Sequence, residues 1–202
     1  MTSTTSSKYI NTLNYLFISK VRVKTIKYFI FHPEDPIHLR ALVRELQEEI
    51  NAVRRELSRL VESDLIRCEV RGNRKFFVLN KEHFFLDELM GLIHKSFGVG
   101  GAILNNIDTL GEVNFVILTG SFTYFTAPNK NIIDLIIIGN VDADKVTEIV
   151  SEAEKKLNRE INYTMMKNSE FILKKKRRDI FVMQLLLSKK ILLAGKYEDL
   201  VA

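Results

Sequence analysis

The sequence has a single cysteine, Cys68. That excludes an internal disulfide, and with no second thiol beside it a zinc or thiolate site has no starting point. Histidine is thin as well: His32, His38, His83 and His94 are scattered, with no His-x3-His spacing, so metal sensing is not expected. Long apolar runs are also missing. The longest, residues 132–139 and 180–187, fall far short of the roughly 20 residues a membrane helix needs, and each is interrupted by a polar residue. Residues 1–7 are rich in Ser and Thr without the continuous apolar stretch of a signal peptide. A disordered tail over 1–7, a cytoplasmic location and no membrane partner are the corresponding expectations.

Excess charge is confined to one end. Residues 1–80 hold 14 Lys and Arg against 9 Asp and Glu, whereas residues 81–202 hold 16 of each. The whole net charge of +5 therefore lies in the N-terminal part, which suggests a polyanionic partner for that part alone. The 202 residues, 46% of them hydrophobic, suffice for one large domain or two small ones.

Between Asn14 and Pro33 the residues Leu16, Phe17, Val21, Val23, Ile26, Phe29 and Ile30 recur at three- and four-residue spacing, which predicts one helix ended by Pro33 and Pro36. A short helix follows, with Leu39, Leu42, Val43 and Leu46 inward and Arg40, Arg44, Glu45 and Gln47 outward. A third, over 50–63, buries Val53, Leu57, Leu60 and Val61 and exposes Asn51, Arg54, Arg55, Ser58, Arg59 and Glu62. Residues 65–70 and 75–79 read as strands around an Arg71-Gly72-Asn73-Arg74 turn. Helix, helix, helix, hairpin is the order of a winged helix-turn-helix. A helix with Arg and Asn on its outer face can enter the major groove, where Arg pairs with guanine edges and Asn with adenine, while hairpin cations lie along flanking phosphates. The candidate DNA-binding residues are Asn51, Arg54, Arg55, Ser58 and Arg59 on the third helix and Arg71, Asn73, Arg74 and Lys75 on the wing, with double-stranded DNA as the partner.

The run "LRALVRELQEEINAVRRELSRLVESDLIRCEVRGNRKFFVLN" resembles the winged-helix regulators of the ArsR-like class, because "NAVRRELSRL", "SDLI" and "RGNRKFF" keep helix, turn and wing in register. Transcriptional regulation is what the resemblance implies for residues 8–80. One departure is Glu48 and Glu49, which stand where the third helix begins and would repel nearby phosphates.

Residues 81–97 read as a connector helix with Phe84, Phe85, Leu89, Leu92, Ile93 and Phe97 on one side, broken by Gly98, Gly100 and Gly101 to give a Gly-rich joint ending at 100. That apolar side needs a cover, either the following domain or the same helix of a second copy, and a homodimer is favoured.

In residues 101–202, strands over 115–119 and 133–138, a helix over 143–158 and a strand over 161–166 suggest a mixed sheet with flanking helices, making the chain a two-domain α+β or α/β protein. "LTGSFTYFTAPNKNIIDLIIIG" resembles the nucleotidyltransferase fold of minimal nucleotidyltransferases and the DNA polymerase beta superfamily. In that family Gly-Ser opens a helix that holds nucleotide phosphates, and an Asp-x-Asp on the next strand binds two divalent metals. The corresponding residues are Gly120 and Ser121, with Ile132 and Asp134 where the carboxylate pair would be, Asn162 where a third carboxylate is expected, and Tyr124 and Phe125 in place of an Arg and a Gly. An isoleucine cannot ligate magnesium. The resemblance therefore implies a domain that keeps the fold without transferase activity, with no catalytic residue, no metal and no cofactor, serving dimerisation or the sensing of a nucleotide or other small molecule at Gly120, Ser121 and Asp134. An active, antitoxin-like nucleotidyltransferase and a scaffold that recruits a protein are the alternatives. The basic run 174–178 reads as a solvated helix end or a phosphate contact, and Met165 and Met166 as packing.

Overall fold

The structure, a computed structural model, describes residues 8–125, 129 and 131–202. The tail expected over 1–7 lies outside the described residues. The chain divides into two compact units, Met1–Ile93 and His94–Ala202, each of mixed helix and sheet. No helix of the described residues is long and apolar enough to cross a membrane.

The first unit begins with α1 (Lys8–Leu16) and α2 (Lys20–Phe31). The single helix expected from 14 to 33 is therefore two. Ser19 interrupts it, because its extended backbone and side-chain oxygen cap α2, accepting from the Arg22 N–H at 3.2 Å. The apolar spacing ran through this break, yet Leu16 and Ile18 are exposed. A two-residue strand β1 (Ile37–His38) leads into α3 (Leu39–Leu46), whose first turn is capped by His38 Nδ1 accepting from Ala41 N–H at 3.1 Å. α4 (Ile50–Glu62) follows after a turn in which Gln47 is left-handed (φ 53°).

β2 (Ile66–Arg71) and β3 (Arg74–Leu79) form an antiparallel hairpin, with Arg71 opposite Arg74 and Gly72 at φ 59° in the turn. β1, too short to show a period in the sequence, pairs with the other edge of β3, so the sheet runs β1-β3-β2. Val53, Leu57 and Leu60 of α4 join Phe29, Leu42 and Ile66 in the core.

The boundary between the units falls inside α5 (Leu86–Ser96). Residues 81–85 form turns rather than the first turn of the helix expected from 81. The glycines expected to form a loose joint are helical, in α6 (Gly98–Asn105). A Cβ on Gly100 would lie 2.2 Å from the His94 carbonyl oxygen, and one on Gly101 would lie 2.6 Å from the Ser96 carbonyl oxygen. These glycines therefore serve close packing of α6 onto the end of α5, a tertiary demand that reads in sequence as a helix breaker.

The second unit continues through β4 (Gly111–Leu118), α7 (Ser121–Tyr124), β5 (Leu135–Val141), α8 (Ala143–Leu157) and β6 (Tyr163–Met166). It ends with α9 (Asn168–Lys176), α10 (Ile180–Leu187), β7 (Ile191–Ala194) and α11 (Tyr197–Val201). The sheet order is β6-β5-β4-β7, antiparallel except for β5 with β6. The apolar run of β5 is buried on both faces, as its unbroken Leu-Ile-Ile-Ile requires. Ile136 and Ile138 meet Phe171 of α9 and Val182 of α10, while α6 packs with α8, which buries Val146 and Val150.

Candidate functional site

α4 owes its start to Glu49. Its carboxylate accepts from the N–H groups of Asn51 (2.7 Å) and Ala52 (2.8 Å), and these bonds hold its pKa below the usual value. Glu48 forms an ion pair with Lys24. Both carboxylates expected to repel phosphates thus have local partners of opposite polarity.

Along α4 the exposed cations divide into two sets. Arg54 and Ser58 line a surface groove of about 1050 Å³ together with Asn73, Arg74 and Lys75 of the hairpin. α3 contributes Arg40 and Arg44, so five cations share the groove, and among the described residues no Asp or Glu lines it. Asn51 is exposed, and its Oδ1 accepts from Arg54 Nη1 at 2.9 Å, which orients the guanidinium. The other set points elsewhere. Arg59 Nη1 is 3.0 Å from Glu56, whose other oxygen accepts from Arg22 Nε at 2.8 Å. Arg71 is tied back along its own strand to Glu69 at 2.7 Å and lies 5.4 Å from the Phe76 ring centre. Arg55 is exposed and does not line the groove.

Two features escaped the sequence. Glu56 is 4% exposed although it carries a charge. Burial raises its pKa, hydrogen bonds from Arg22 and Ser19 and the charges of Arg22 and Arg59 lower it, and the lowering wins. Arg40 and Arg44 read only as the outer face of α3. Their four-residue spacing was the available signal, but only the fold brings that face beside the hairpin.

In the second unit Gly120, Ser121 and Asp134 converge. Gly120 (φ 57°) leaves no room for a side chain, since a Cβ would lie 2.9 Å from Asp134 Oδ1. Asp134 is 1% exposed, immediately before β5. Its Oδ1 accepts from the Ser121 N–H at 3.1 Å and also from the Ser121 hydroxyl, and its Oδ2 accepts from the Asn162 N–H at 3.3 Å. Asn158, left-handed at φ 50°, ends α8 and delivers Arg159, whose Nη2 donates to Ser121 Oγ and lies 3.9 Å from Asp134 Oδ1. The Arg159 guanidinium stacks 4.1 Å above Phe122, and the same ring meets His94 edge-on at 5.5 Å. His94 is buried, and burial together with the Arg159 charge pushes its pKa down to about 4.

Two of the substituted side chains, Tyr124 and Asn162, have structural partners. Tyr124 Oη accepts from the Lys189 N–H at 3.0 Å, and Asn162 Nδ2 donates to the carbonyls of Asn129 (2.8 Å) and Ile132 (3.1 Å). The pair of divalent cations implied by the nucleotidyltransferase resemblance does not fit this donor set. One inward-facing carboxylate with both oxygens accepting from the chain, beside a guanidinium, is a site already neutralised. No group of three His, Cys, Asp or Glu among the described residues could hold a metal ion.

No family model matches the chain, and no curated protein matches it. Among solved structures, the human N-acetylserotonin methyltransferase in complex with SAM is similar over 54% of this chain and 36% of that one, at 16% identity and a TM-score of 0.30. A likeness of that size carries no argument about this chain.

Proposed function

We propose that residues 8–80 form a winged helix-turn-helix of the ArsR-like type that binds double-stranded DNA, and that the protein is a transcriptional regulator. The observation that carries this reading is the groove in which Arg40, Arg44, Arg54, Arg74 and Lys75 converge with no carboxylate among the described lining residues. Arg54, oriented by Asn51, is the residue to reach a guanine edge, and the other four cations suit backbone phosphates. Arg59 and Arg71, each within 3.0 Å of a glutamate and outside the groove, are assigned the smaller share of that contact.

The second unit, in this reading, is a nucleotidyltransferase-like domain without transfer chemistry that serves dimerisation or ligand sensing. The inward, fully bonded Asp134 supports it against the active, antitoxin-like enzyme. Phe84 and Phe85, 76% and 55% exposed, support a homodimer.

Anisotropy titration of a labelled duplex across a salt series tests the DNA reading. Four phosphate contacts give a slope of about −3.6 in log K against log salt, or roughly a 150-fold loss between about 50 and 200 mM. Arg74→Gln/Lys75→Gln should flatten that slope by about 1.8 and Arg44→Gln by about 0.9, whereas Arg59→Gln and Arg71→Gln should each flatten it by less. Native chain that shows no salt-sensitive binding to duplex DNA ends the proposal.

A further inference from the structure

The second unit carries a cleft that neither reading above uses. Asn114 of β4, Asn168 and Lys175 of α9, and Lys196 and Asp199 at the start of α11 surround about 360 Å³ over the ring of Phe171. That volume falls at the small end of the range of roughly 300–1,000 Å³ typical of small-molecule sites. Gly195 builds one wall. Its φ is +96°, and a Cβ there would lie 2.6 Å from the Asn114 carbonyl oxygen and 2.4 Å from the Phe115 ring, so the chain entering α11 presses directly onto β4. Lys175 Nζ donates to the Leu200 carbonyl at 3.1 Å, which ties α11 to α9 across the cleft.

The polar groups at its edge are uncommitted. The side chains of Asn114, Asn168, Lys196 and Asp199 make no hydrogen bond or ion pair with any described residue, and Lys175 uses one of its three donors. Two ammonium groups, one carboxylate and two amides around an apolar floor complement a molecule that carries both signs of charge on a small body. A simple polyanion would meet Asp199, and a simple amine would meet two lysines.

We propose that this cleft binds a small zwitterion of the free amino-acid type. The ligand's carboxylate pairs with Lys175 and Lys196, its ammonium with Asp199, the two asparagines hydrogen-bond either group, and its side chain lies against the exposed Ile172. The proposal stands apart from the DNA-binding reading, because it concerns the second unit alone.

Calorimetric titration of the full chain with each of the standard free amino acids at millimolar concentration tests it. At least one should bind with one-to-one stoichiometry, and Lys196→Glu and Asp199→Asn should each weaken that binding about tenfold or more. The same ligand without its amino group should bind the native chain less tightly, and should bind Asp199→Asn better than native. Lys196 and Asp199 are exposed, so both variants should melt as the native chain does without ligand. Three results overturn the proposal: no amino acid binds, binding survives both substitutions, or the deaminated acid binds native chain as tightly as the amino acid.

Discussion

His94 sits 2% exposed against Phe122, and its pKa in the folded chain is about 4, against an ordinary value of 6.5. Below pH 6.5 the unfolded chain takes up a proton at this position that the folded chain refuses, so stability is full above pH 6.5 and falls as the pH drops towards 4. A gap of about 2.5 pH units at 1.36 kcal/mol each makes the complete loss about 3 kcal/mol. Most of that loss, roughly 2–3 kcal/mol, is reached between pH 7.5 and 4.5. Full burial means that solvent screening does not reduce the figure appreciably, and the neighbouring guanidinium of Arg159 opposes protonation in the same direction. Carboxylates elsewhere also change stability over this interval, so the measurement is a difference. Urea unfolding of the native chain and of His94→Gln is compared at both pH values, with the His94 ring proton followed by NMR. The native chain should lose about 2–3 kcal/mol more than the variant on acidification, and the ring should titrate near pH 4. An identical pH dependence in the two proteins, or a ring midpoint near 6.5, would refute the reasoning.

A methyl group added at Gly91 would meet open space, whereas one at Gly101 would meet the Ser96 backbone at 2.6 Å. Gly91→Ala should therefore raise stability by up to about 1 kcal/mol, and Gly101→Ala should lower it by about 1–3 kcal/mol, both read by chemical denaturation. Glu56→Ala strands the partly exposed Arg22 and Arg59 and should cost roughly 2 kcal/mol, less than a fully buried pair because water reaches both guanidinium groups. Ser19→Ala removes the α2 cap and should cost about 1 kcal/mol, with amide exchange increasing first in residues 20–23. Purified chain incubated with magnesium and nucleoside triphosphates should transfer no nucleotide, and robust magnesium-dependent transfer that disappears in Asp134→Ala would reverse the reading of the second unit.

Much of the first unit was legible because its elements are amphipathic and local. α3 and α4 follow from leucines at helical spacing, and the hairpin follows from Gly72-Asn73 between two apolar strands. What was not legible depends on partners distant in sequence. A serine inside an apolar pattern looks like one more surface residue until its hydroxyl is seen capping α2. Gly100 and Gly101 look like a joint until the backbone of α5 is found against them. β1 consists of two residues, too few for any period, and exists only because β3 has a free edge to pair with.

The same distinction decides which charges can act. On α4 the sequence presents Arg54, Arg55 and Arg59 as equivalent members of one outer face, and helical spacing cannot separate them. Their partners do. Glu56 lies within the same helix, yet its burial is set by Arg22, 34 residues earlier, and once buried it claims Arg59 as well. Arg54 instead meets Asn51, a neutral acceptor that orients the guanidinium while leaving its charge uncompensated. Asp134 repeats the logic with opposite sign: its spacing from Gly120-Ser121 marks it as a ligand, but Arg159, 25 residues later, and the Ser121 and Asn162 N–H groups satisfy it from within. A charge that the fold has both buried and matched, as it has Asp134, is withdrawn from partner molecules, whereas an exposed pair such as Arg71 with Glu69 costs little to open. In the proposed DNA-binding reading, the Arg40, Arg44, Arg54, Arg74 and Lys75 groove, with no carboxylate among its described lining residues, is where the polyanion sits.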